Sequence, residues 1–225
     1  MTWSPDRQSL MFVSDRAGDN DLWIKRADLT GTAALVLDRT ARIFEGVRSS
    51  DGTWVVFREG SNQSADIYAI RPGVDSVPRA MAATDAQEWT IALSPNGRWL
   101  AYASDHSGRS QVYVRSFPEA GTLVQVSEDR GTAPVWSDSG GELFYQNGAH
   151  ELVAVQVSTD PFFEVRTQEV LFSMEGYMLA EGHPTYAVTP DARRFVMLRM
   201  PRDSGSELIL VDNWFTELCE RVGGC

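Results

Sequence analysis

An all-β fold, a β-propeller of about five four-stranded blades, is what this sequence predicts, on three observations. A turn resembling Ser-Pro-Asn-Gly recurs along the chain, with anchors at Ser4, Ser49, Ser94, Ser137 and Thr189. The anchors are spaced 45, 45, 43 and 52 residues apart. Each turn is followed by an apolar strand, a polar loop and a second short strand. A period near 45 with several short strands per unit is the mark of a propeller blade. A sandwich of irregular hairpins gives no reason for one turn at a fixed period. A single blade is a small twisted sheet that cannot bury both faces alone, and stacking on its neighbours buries them.

The third unit shows the pattern most plainly. In Ser94-Pro95-Asn96-Gly97, Pro95 presets φ, and Asn96 and Gly97 tolerate positive φ. Trp99, Ala101 and Ala103 then point one way from a strand, and Leu100, Tyr102 and Ser104 the other. Val112-Tyr113-Val114 follows as the next strand.

Taken in order, the blades fall near residues 1–40, 41–84, 85–128, 129–174 and 182–212 of a propeller spanning 1–212. The first has Leu10 to Ser14, Asp21 to Ile24 and an outer strand at Ala33 to Leu37. The second opens with Ile43 to Ser49 and closes with Val77 to Ala83. The third carries the exposed loop Asp105 to Ser110. The fourth has a longer connection through Asp160-Pro161-Phe162-Phe163, and the fifth reaches its third strand at Glu207 to Asp212. In 213–225, Phe215, Leu218 and Val222 lie at helical spacing ahead of Gly223-Gly224, which predicts a short amphipathic helix that closes the fold. No spare strand precedes Trp3, and the last blade offers three strands and a helix. The expectation is a propeller incomplete by itself, or the C-terminal part of a larger one, since unpaired edges invite association.

Composition narrows the function. The 225 residues are 43% hydrophobic, enough for one domain with a sizeable core. Twenty Lys and Arg against 31 Asp and Glu give a net charge of −11. That balance opposes a phosphate backbone or an anionic membrane surface, so neither nucleic acid nor direct membrane insertion is expected. No apolar run approaches a membrane span, and Met1 to Pro5 lack the pattern of a signal peptide. Lys25, the single lysine, lies on a repeat strand, which removes Schiff-base and P-loop chemistry. Cys219 and Cys225 lie only in the tail, so no disulfide joins the blades.

The Ser-Pro-Asp/Asn-Gly turns, the Ser-Asp loops and the Ile-Tyr-Val-like strands resemble the WD40-like repeats of the bacterial TolB-type propeller. A narrower likeness rests on Leu100 to Ser104, Gln111 to Pro118, Pro134 to Ser137 with Glu142 to Tyr145, and Asn213 to Leu218. These segments look like the C-terminal propeller of bacterial membrane-linked serine/threonine protein kinases. That resemblance implies a sensor or interaction module, with an upstream kinase domain in a longer parent and an extracytoplasmic location. The TolB resemblance implies a periplasmic scaffold in envelope trafficking. The kinase glycine loop, His-Arg-Asp and Asp-Phe-Gly are missing here, and the fourth turn, Asp138-Ser139-Gly140-Gly141, lacks the proline, so only the propeller role carries over.

No Gly-x-Ser-x-Gly is present, and His106, His150 and His183 lack metal-ligand spacing. Asp15, Asp19 and Asp21 around Gly18 do not match a calcium loop and fit polar turn residues, with Asp105 in register with Asp15. No cofactor is expected. Trp23, Trp54, Trp99 and Trp136 fit packing between blades. The inner strands start near Glu45, Glu88-Trp89, Thr132 and His183, which ring the mouth of the central channel. Such a mouth is the default place for a protein, peptide or small ligand. Glu45 and Glu88 there would form a negative rim suited to a cationic or metal-bound ligand, as in channel-calcium lactonases. The sequence yields no full ligand set for such an enzyme. A non-catalytic binding module is therefore the leading expectation, with the TolB-like scaffold and the channel-metal hydrolase as alternatives.

Overall fold

The computed structural model describes residues 1–61, 64–180 and 182–199. The third strand expected at 207–212, the helix expected at 213–225 and both cysteines lie outside these residues. Four four-stranded antiparallel sheets follow one another along the chain, each with its strands in sequence order. The first holds β1 (Thr2–Trp3), β2 (Ser9–Ser14), β3 (Asp21–Arg26) and β4 (Ala34–Leu37). The second holds β5 (Arg42–Arg48), β6 (Val55–Ser61), β7 (Ser64–Ile70) and β8 (Arg79–Ala82). The third holds β9 (Glu88–Leu93), β10 (Trp99–Ser104), β11 (Gln111–Ser116) and β12 (Leu123–Gln125). The fourth holds β13 (Gly131–Trp136), β14 (Glu142–Asn147), β15 (Glu151–Ser158) and β16 (Glu164–Ser173). A described pair, β17 (Tyr186–Val188) and β18 (Phe195–Met197), continues the series. This is the architecture of propeller blades.

The recurrent turn has one hydrogen-bond pattern in all five copies. The anchor hydroxyl accepts the N–H five residues on, from Ser9, Trp54, Trp99, Glu142 and Arg194 in turn. The side chain two residues after the anchor (Asp6, Asp51, Asn96, Ser139, Asp191) hydrogen-bonds that hydroxyl and accepts a second backbone N–H. The anchor hydroxyls and these N–H groups hold the carboxyls of Asp6, Asp51 and Asp191 below the usual range. The next residue has positive φ and donates its N–H to the anchor carbonyl. Three copies place glycine there, while Arg7 (φ 55°) and Ala192 (φ 56°) bear a Cβ. Ala192→Gly is therefore expected to raise stability by up to about 1 kcal/mol, the strain of a left-handed L-residue offset by the looser unfolded chain. Equal or lower stability in urea unfolding would contradict this.

The core is a set of seams between sheets. Met11 and Leu22 meet Ile43, Val55 and Phe57 in the first seam. Val56, Ile67 and Ala69 meet Leu100, Tyr102 and Tyr113 in the second. Trp99, Ala101 and Val112 meet Trp136, Leu143 and Val155 in the third. Phe144 and Leu152 meet Tyr186 in the fourth. Adjacent residues of β6 and β10 thus serve opposite seams, as strand alternation requires. Gly46 lets the first seam close, because a Cβ there would lie 2.7 Å from Leu22 Cδ1. Indole N–H groups stitch the third seam: Trp136 Nε1 donates to the Ala92 carbonyl (3.1 Å) and Trp99 Nε1 to that of Thr159 (3.0 Å). Phe163, from the long connection in the fourth blade, packs against both indoles. Trp54, Trp99 and Trp136 are buried between blades. Trp23 differs: it is half-buried outside the core clusters, under the Arg16 guanidinium, because its side of the first sheet has no described neighbour.

Candidate functional site at the channel mouth

The inner strands β5, β9 and β13 each carry a bulge near their starts. In two of them a residue with a Cβ takes positive φ, Thr90 (51°) and Ala133 (55°), both four residues before the turn anchor. Such strain persists only where neighbours hold it. Glu45, at the same position of the second blade, holds Thr90: its carboxylate accepts the N–H groups of Thr90 (2.9 Å) and Ile91 (3.3 Å). Tyr186 holds Ala133 by donating its hydroxyl to the Ala133 carbonyl (2.7 Å), and full burial raises the phenol's pKa well above normal.

The candidate residues occupy different registers and do different things. Counted back from the anchors, Glu45 is four residues away, Trp89 and Thr132 five, and Glu88 and His183 six. Glu45 also pairs with Arg58 Nε at 2.9 Å, the Arg58 side chain being buried and that of Glu45 12% exposed. His183 Nδ1 lies 4.0 Å from Glu45 Oε2, so the segment leading into β17 approaches blade two, which is not its neighbour in the series. Trp89 faces Gly182, where a Cβ would come within 3.3 Å of the indole Cδ1.

Glu88 turns away from the mouth. It is 1% exposed, in contact with Thr84 and Ser104, whose hydroxyls donate to Oε1 (2.9 and 3.3 Å). Its Oε2 has no hydrogen-bond partner among the described residues. Desolvation, reinforced by the negative charges of Asp66 and Asp105, pushes its pKa up to about 7.

Trp89 and Thr132 line a cavity of about 560 Å³. Strand direction alternates within a blade, so the loop between the second and third strands shares a face with the start of the inner strand. The cavity is built accordingly. Asp105, Arg109 and Ser110 come from the β10–β11 loop, and Arg130 from the approach to β13. Gln146 and Asn147 come from the end of β14, and His150 from the β14–β15 turn. Leu179, Ala180 and Gly182 close it from the segment before β17. Gln146 is buried and contacts His150 Nδ1 at 3.0 Å. Arg109, Arg130, Gln146 and His150 had no motif to mark them; only the shared face of loops and inner-strand starts could have grouped them. Among the described residues no group of three His, Cys, Asp or Glu is placed to hold a metal ion, and no helix is long and apolar enough to cross a membrane. Asp15 and Asp105 each accept the N–H of a glycine three residues on, the same turn in two blades.

No family model matches the chain, and no curated protein matches its sequence. Solved structures do. TolB from Acinetobacter baumannii matches with a TM-score of 0.58 and 18% identity, over 88% of this chain and 53% of that one. A TolB candidate from Agrobacterium tumefaciens matches at 0.63 and 17%, over 88% and 73%. A 6-phosphogluconolactonase candidate from Bacteroides uniformis ATCC 8492 matches at 0.50 and 16%, over 84% and 60%. The chain spans about half the length of the Acinetobacter protein. At these identities the likeness is one of fold, and the fold of the described chain is that of the TolB-type β-propellers.

Proposed function

We propose that the chain is a non-catalytic propeller module that binds a partner or ligand on the face carrying the 560 Å³ cavity. The observation that carries this reading is the division of labour at the mouth. Glu45 is committed to Arg58 and two backbone N–H groups, and Glu88 is buried, while polar side chains from hairpin loops line the open cavity. Rigid blades with variable loops suit surface recognition. Following the resemblance to bacterial serine/threonine kinases, the module would act as the extracytoplasmic sensor of a longer parent. The TolB-type fold favours a second reading, a TolB-like scaffold that binds protein in the periplasm.

A photo-reactive residue at Ser107, on the cavity face, and another at Ser139, on the opposite turn face, test the binding face in the source organism. Cross-linking from Ser107 and not from Ser139 is expected. Capture from Ser139 alone would move the binding face, and capture from neither would remove the partner. Lactone hydrolysis that disappears with a chelator would replace the reading by a metal hydrolase.

A further inference from the structure

We infer that the cavity is an anion site, taking a small ligand in which a carboxylate or phosphate is joined to a flat apolar group. This deepens the proposed binding role and rests on it. The notion of a negative rim suggests a cationic ligand, but the charged residues that line the cavity are two arginines and one aspartate, with a histidine beside them. Asp105 already accepts the Gln87 N–H through Oδ1 at 2.8 Å. Arg109 is paired with Asp129, both exposed, in the kind of contact that contributes little and exchanges readily. Arg130 pairs with no described carboxylate. Its stem lies over Gly148, where a Cβ would approach the Arg130 Cβ to 3.0 Å, so glycine makes room for it.

Opposite charge comes with ordered donors. Gln146, 7% exposed, contacts His150 Nδ1 at 3.0 Å; with the amide donating there, Nε2 is left as the ring's N–H donor. Trp89 supplies the apolar wall. The chain's charge of −11 acts on the cavity mainly through the acids at its edge, Asp129 on Arg109 and Glu151 on Asn147, because screening limits the reach of the others to about 8 Å at physiological ionic strength. A volume of about 560 Å³ fits a small molecule or the end of a peptide. Arginine suits both anions, since its planar fork matches carboxylate and phosphate oxygens alike.

The test is calorimetric titration of the 225-residue chain with hippurate, phenyl phosphate and benzylamine. At least one of the two anions is expected to bind, and benzylamine not to. Hippurate alone would identify a carboxylate ligand, phenyl phosphate alone a phosphate ester. Arg130→Met is expected to weaken anion binding at least tenfold and Arg109→Gln by less. Arg98→Met, on the opposite face, is expected to leave it unchanged. Binding of neither anion, benzylamine binding as well as they do, or Arg130→Met within twofold of the parent would each overturn the inference. Anion binding without cross-linking from Ser107 would instead remove the macromolecular partner and leave the anion site standing.

Discussion

Glu45→Ala is expected to destabilise the protein by about 3–5 kcal/mol, the cost of leaving a buried charge uncompensated. Arg58, 6% exposed, would lose its carboxylate partner. The N–H groups of Thr90 and Ile91 would lose their acceptor in the neighbouring blade, and Thr90 would lose what holds it at φ 51°. The charge and the clamp separate experimentally. The double variant Glu45→Ala, Arg58→Met removes the stranded cation and should be less damaged than the sum of the two single changes. Urea unfolding of the four proteins measures this. A loss below about 1 kcal/mol for Glu45→Ala would mean that the seam between blades two and three does not depend on the carboxylate, since exposed pairs contribute no more than that.

Glu88 is expected to make stability fall as pH rises. Its folded pKa of about 7 lies above the ordinary glutamate value of 4.5, so between these values the folded state keeps a proton that the unfolded state has lost. The stabilisation is complete below pH 4.5 and is lost as pH passes through about 7. At about 1.4 kcal/mol per unit the span is about 3 kcal/mol. Glu88→Gln keeps the shape without the titration. The variant should gain on the parent by about that amount from pH 4.5 to pH 8, whatever constant offset its amide introduces. Parallel pH profiles of the urea midpoint would show that Glu88 is not the titrating group. Other carboxyls act in the opposite direction, because Asp51 and Asp191 are held low by their turns. The comparison between variant and parent cancels them.

The repeat itself was legible because its determinants are local. A serine hydroxyl bridging residues two and five positions on needs only its own turn, so Ser49, Ser94 and Ser137 announce their blades by identity and spacing. Strand alternation likewise assigned Trp99 and Ala101 to one seam and Leu100 and Tyr102 to the other. Even Arg7 and Ala192, where glycine would be easier, were recognisable from the rest of the turn.

The mouth of the channel was not legible in the same way. Glu45 and Glu88 look equivalent as acids near the start of inner strands. A bulge and two residues of register send one into a clamp across to the next blade and the other into a buried seam. Arg109, Arg130 and His150 sit in loops of ordinary composition and share a cavity only because adjacent blades bring those loops to one face. The sequence by itself determined the turns, the period and the two faces of each strand, since these depend on bonds spanning a few residues. Only the tertiary structure decided which charges are buried, which are paired and which remain open to a ligand, because burial and pairing are set by neighbours from other blades, tens of residues away along the chain.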